Sequence, residues 1–189
     1  METKDHKMLA RFLLSRTETN IPYIFQKAFI LGNIEPDRNP FTYLHGIIHG
    51  EKFHGHNYEN TILIMRKLFN SLKDKWCFGI LEYYHLGKLM HYMADAFTFP
   101  HNSVFKKTLK EHCIYERKLH KRFSNMLENQ QFIEYKVKTL NDFKNIEILH
   151  NKYLQIAGDC KNDCKYIMCT TEMLLSIIYQ NQEVSIVFV

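Results

Sequence analysis

His91-Tyr92-Met93-Ala94-Asp95-Ala96-Phe97-Thr98-Phe99-Pro100-His101, followed downstream by His112-Cys113-Ile114-Tyr115-Glu116, decides how this chain folds. The run from Trp76 to Phe97 is largely apolar around its circumference, as a helix at the centre of a bundle must be. Yet it carries His91 and Asp95. His91 and Asp95 are four apart and share one helix face. His112 and Glu116 repeat that spacing. His101 follows a proline, where helices end or begin. Three histidines and two carboxylates suit zinc or another borderline divalent metal. Five donors exceed what one tetrahedral site needs, so the pattern reads as a cluster of metals.

One such pair alone would decide nothing. With 11 His and 20 acidic residues among 189, chance places an acid four after a His about once. His112 and Glu116 also fit an exposed i,i+4 pair on a solvated helix face. His91 lies among Leu86, Leu89, Met90, Met93, Ala94 and Phe97, where a lone His is usually a hydrogen-bonded core residue. Asp95 on the same face changes that reading. Two buried polar groups side by side need partners, and a metal satisfies both.

Outward from this stretch the periodicity is helical nearly throughout. Lys4 to Ser15 places Met8, Leu9, Phe12 and Leu13 at helical spacing. Pro22 opens a second helix running toward Leu31. Gly32 to Gly55, with Pro36 and Pro40, reads as one long irregular and functional region. Asn57 to Lys73 is a helix. Asn102-Ser103 caps a long helix to about Leu127. Asn141 to Ile156 and Asn162 to Gln180 supply two more. The end, Val184 to Val189, is β-prone and apolar. The expectation is an all-α, multi-helix bundle, one domain over 1–189, with a metal site in the bundle core.

Composition agrees with a packed domain: 46% hydrophobic residues, seven Gly and four Pro argue against disorder and against a turn-rich β fold. The net charge of +5 is mild. It fits anionic lipid or nucleic acid without choosing between them. Lys106, Lys107, Lys110, Arg117, Lys118, Lys121 and Arg122 cluster near His112 and Glu116, which a solvated face also explains. No apolar run is long enough to span a membrane. No secretory signal is read at the N-terminus, so the expected location is cytoplasmic. An odd count of five Cys argues against a disulfide framework. Cys160, Cys164 and Cys169 are spaced too loosely for a zinc knuckle and read as buried thiols.

Together, Gly87-Lys88-Leu89-Met90-His91-Tyr92-Met93-Ala94-Asp95 through His101 and His112 to Glu116 resemble the bacterial zinc-dependent phospholipase C family. Gly32 to Pro40, with Asp37, resembles its acidic active-site loop. Gly55-His56-Asn57-Tyr58-Glu59-Asn60 resembles its histidine-bearing segment. Asp5-His6-Lys7-Met8-Leu9-Ala10 resembles its first helix. The resemblance runs from about His6 to Glu116. No stretch of this sequence reads as the β-sandwich lipid-binding domain that the toxin members carry. The resemblance implies two or three Zn2+ ions. His56, His91 and Asp95 would hold one, and His101, His112 and Glu116 a second. His6 and Asp95, with the amine and carbonyl of Met1, would hold a third. Exported members place a terminal Trp there, whereas the only Trp here is Trp76. Asp37 would act as general base.

The chemistry implied is hydrolysis of a phospholipid or related phosphodiester by metal-activated water, with possible peripheral membrane contact. Zinc single-strand nucleases are similar in ligand order, and Phe41, Tyr43 and Phe53 could stack bases. They place the last His–carboxylate pair further downstream. A non-catalytic metal-binding descendant is the third alternative. Within the glycine-containing loop, His54 competes with His56, whereas His45 and His49 read as exposed or cleft-lining. His85 reads as structural, and His120 and His150 as surface positions. Glu35, Glu59 and Glu82 are possible partners for the ligand rings. The sequence does not give an oligomeric state.

Overall fold

The computed structural model describes residues 1–17, 20–39, 57–129 and 143–180. Among these the chain forms α1 (Thr3–Ser15), α2 (Tyr23–Arg38), α3 (Tyr58–Lys73), α4 (Ile80–Ala96), a 3-10 turn (Phe99–His101), α5 (Leu109–Glu128), α6 (Phe143–Leu154) and α7 (Cys160–Gln180), and no strand. The all-α bundle expected from the apolar periodicity is therefore the fold. No helix of the described residues is long and apolar enough to cross a membrane.

α4 is the axle of the bundle. Every residue from Leu89 to Ala96 is buried, and α1, α2, α3 and α7 all pack against it. Over these two turns the helix is dry on every side and has no solvated face to receive polar residues. His91 and Asp95 are thus held in the interior by everything around them.

α2 continues seven residues beyond the expected stop at Leu31, through Gly32 to Arg38. The glycine is not a breaker here. A Cβ at Gly32 would fall 2.0 Å from the Tyr84 carbonyl oxygen, and one at Gly87 would fall 2.0 Å from that of Phe29. The two glycines let the backbones of α2 and α4 touch. Pro36 sits in the last turn of α2, where its missing N–H costs one ladder bond just before the helix ends. Asp37 therefore stands on a helix packed against α4 and not in a loop.

α5 starts later than expected. Its N-cap is Thr108, whose hydroxyl accepts from Glu111 N while the Glu111 carboxylate accepts from Thr108 N at 2.9 Å, a reciprocal capping box. Asn102, expected to cap this helix, is buried and instead donates to the Ala96 and Thr98 carbonyls at 3.1 and 2.9 Å. That closes the chain after α4 and sets the position of His101.

Two buried polar nodes lock the remaining helices. Asp163 on α7 accepts from Phe99 N (3.0 Å), Tyr115 OH (2.8 Å) and Tyr153 OH (2.8 Å), joining the 3-10 turn, α5 and α6. His150, expected at the surface, is 1% exposed and stacks on Tyr58 at 3.5 Å. Its Nε2 faces the Ala96 carbonyl at 3.1 Å and Asn102 Oδ1 at 2.7 Å. Both are acceptors, so Nε2 carries the hydrogen. The correction follows from the helix period: Phe143, Ile146, His150 and Tyr153 form one inward stripe.

Candidate metal centre

Five elements deliver polar side chains to one end of α4. His6 comes from α1, Asp37 from the extended end of α2, His91 and Asp95 from α4, His101 from the 3-10 turn, and His112 and Glu116 from α5. They fall into two groups of potential ligand atoms, each within 4.8 Å: His6, Asp37, His91 and Asp95, and His101, His112 and Glu116. His56, and with it His45, His49 and His54, lies outside the described residues, as do Phe41, Tyr43 and Phe53.

Asp95 joins the groups. Its Oδ1 lies 2.8 Å from the Met1 amine and 3.2 Å from His6 Nε2. Its Oδ2 lies 3.3 Å from His91 Nε2 and 3.5 Å from His101 Nδ1. The Met1 amine also reaches Glu116 Oε1 at 3.1 Å and His101 Nε2 at 2.9 Å. Glu116 Oε1 in turn is 3.2 Å from both His101 Nε2 and His112 Nε2. His6 thus shares a group with His91 and Asp37 as well as meeting Asp95 beside the Met1 amine.

The charges are set by this crowding. Burial opposes ionisation of Asp95, but His101, the Met1 ammonium, His6 and His91 hold its carboxyl well below the ordinary range. Glu116 behaves likewise: burial is outweighed by the Met1 ammonium, His101 and His112. Burial lowers the Met1 amine, yet Asp95 and Glu116 together push it up to about 11. His6 is pushed down to about 4 by burial and by His91, whose ring stacks on it at 3.8 Å. For His91, burial is overcome by Asp95, and its pKa rises.

The donor set fits a metal. His91 Nδ1 donates to the Asn33 carbonyl at 2.9 Å, so in the neutral ring the lone pair sits on Nε2. That nitrogen faces Asp95 Oδ2 and, at 3.6 Å, Asp37 Oδ1. Lone pairs pointed at one another in a dry interior require a proton or a cation between them. Asp37 Oδ2 is also buried without a hydrogen-bond partner among the described residues. Borderline divalent metals take such mixed imidazole and carboxylate donors.

A zinc-dependent phospholipase C profile matches residues 5–169 of the chain. The chain belongs to the zinc-dependent phospholipase C family. Neither a search of curated proteins nor a search of solved structures found a match. As a member of a zinc-dependent hydrolase family, the chain carries candidate His/Asp groups for that metal on the inner faces of its helices.

The partners expected for the ligand rings lie elsewhere. Glu35 pairs with Lys88 at 3.0 Å. Glu82 accepts from Gly79 N at the start of α4, and Glu59 is exposed on α3. The orienting group for His91 is the Asn33 carbonyl. A main-chain acceptor carries no sequence signal; the close approach of α2 and α4 at Gly32 and Gly87 brings it to His91. All five cysteines are free thiols, and Cys164 is buried, with its pKa pushed up to about 12 by burial. The basic residues from Lys106 to Arg122 are all exposed.

Proposed function

We propose that this chain is a zinc-dependent phosphodiester hydrolase of phospholipase C type, acting on a phospholipid or a related diester. The observation that carries this reading is Asp95. It is a buried carboxylate that reaches donors of both groups, with His6 and the Met1 amine at Oδ1 and His91 and His101 at Oδ2, as a bridging ligand of a multi-metal site would. His6, His91, Asp95, His101, His112 and Glu116 are the proposed ligands, with the Met1 amine beside them and His56 as a further one. Bound zinc would supply Lewis acidity toward the phosphate and a water acidified to a pKa of about 7.

The chain's own residues divide the remaining tasks by depth. His6, His91 and Asp95 are at most 1% exposed at their side chains, so they form the floor. Asp37, His101, Glu116 and His112 reach 13, 11, 15 and 25% and form the rim where a diester phosphate would enter. Asn33 fixes the His91 ring through its carbonyl, which holds the tautomer that presents Nε2. Asp37, on the rim with Oδ1 3.6 Å from His91 Nε2, is the proposed general base. Its Oδ2, without a hydrogen-bond partner among the described residues, is the proposed proton acceptor.

Asp37→Asn tests this division. Assayed on a short-chain phospholipid diester, the variant should lose about 10²–10⁴-fold in kcat while keeping the wild-type zinc content. Unchanged turnover would remove Asp37 from the mechanism. No hydrolysis of lipid or nucleotide diesters by zinc-loaded wild type would favour a metal-binding descendant without catalysis.

A further inference from the structure

The first turn of α1 faces two ways. His6 enters the metal centre, whereas Asp5 joins Glu2 and His120 of α5 in a separate group whose potential ligand atoms lie within 4.8 Å of one another. Asp5 is 0% exposed. Its Oδ1 meets His120 Nδ1, but its Oδ2 is buried with no hydrogen-bond partner among the described residues. A buried carboxylate oxygen left unmatched is costly. An Asp5–His120 ion pair satisfies one oxygen only, and the α1 backbone, in which Glu2 is the N-cap, brings a second carboxylate beside it. Glu2 also meets Lys4 at 2.7 Å, with side-chain exposures of 27 and 55%, and so open a pair holds little free energy.

We propose that Glu2, Asp5 and His120 bind one divalent cation of the zinc or cobalt class, at a site apart from the metal centre. One imidazole nitrogen and two carboxylates are a suitable donor set for such an ion. The buried Asp5 carboxylate gives the site its anchor. Glu2 and His120, with side chains 27 and 26% exposed, leave it open to solvent. The cation would tie the first turn of α1 to α5, the two helices that also bring His6, His112 and Glu116 to the metal centre. The inference stands on this geometry and does not depend on the hydrolase reading.

The test is equilibrium dialysis of the full zinc-loaded chain against Co2+, with metal counted per chain. Wild type should take up one cation more than either His120→Gln or Glu2→Gln. Co2+ should raise the Tm of wild type and leave that of both variants unchanged. Both positions are partly exposed, so the variants keep the fold, which circular dichroism verifies. Glu116→Gln, in the metal centre, should retain the His120-dependent equivalent. Equal metal counts in wild type, His120→Gln and Glu2→Gln would overturn the proposal and leave Asp5–His120 as an ion pair.

Discussion

Replacing Gly87 by alanine sets two physical effects against each other, and the geometry decides between them. In an unobstructed helix interior, Gly→Ala stabilises by about 1 kcal/mol through helix propensity. At Gly87 the new Cβ would lie 2.0 Å from the Phe29 carbonyl oxygen and 2.9 Å from Asn33 N. Both are backbone atoms, which no rotamer change can move. Ordinary contact requires α2 to withdraw by roughly 1 Å or more. Overpacking of this kind costs about 1–3 kcal/mol and more when backbone must shift. The net expectation is a loss of about 3 kcal/mol, a fall in Tm of roughly 6–12 °C for a chain of this size. The same withdrawal would stretch the 2.9 Å bond from His91 Nδ1 to the Asn33 carbonyl, so zinc affinity should fall with stability. Thermal unfolding followed by circular dichroism, with zinc retention during dialysis, reads both effects. A Gly87→Ala protein with Tm equal to or above wild type would refute the account of the α2–α4 contact and of how His91 is oriented.

The buried nodes give further expected outcomes. Burial pushes the His150 pKa down to about 4, below its unfolded value, so between about pH 6.5 and 4 the unfolded chain binds the extra proton. Stability is then fully present above pH 6.5 and falls as the pH drops toward 4, by up to about 3 kcal/mol from this group. Tm measured against pH should show a shallower acid slope in His150→Gln than in wild type; equal slopes would dismiss the role of His150. Asp163→Ala strands three donors, from Phe99, Tyr115 and Tyr153, and should cost about 3 kcal/mol or more in urea unfolding. A loss below about 1 kcal/mol would mean the node is not a lock.

Much of the architecture could be read from hydrophobic period alone. The central helix announced itself by being apolar on every side, and His91 and Asp95 stood out because they interrupt that surface at helical spacing. What the sequence hid has specific physical causes. Gly32 and Pro36 look like helix breakers, and the contact that makes glycine necessary at position 32 involves the backbone of another helix. His150 and Asp163 look like surface residues beside Asn151, Lys152, Asn162 and Lys161, but their stripe mates Ile146, Tyr153, Ile167 and Leu174 are buried. Following the inward stripe through a polar position would have found both. Asn102 was visible as a capping type, yet its partners belong to the helix before it. The Asn33 carbonyl could not be found from side-chain identity at all.

The most direct test of the central claim is zinc per chain, by elemental analysis of protein purified without chelator and with a free Met1 amine, compared with His91→Ala and His112→Ala. The account predicts two or three zinc ions in wild type, with each variant losing ions from its own donor group. Zinc below one per chain in wild type, or a content unchanged by both substitutions, would contradict it.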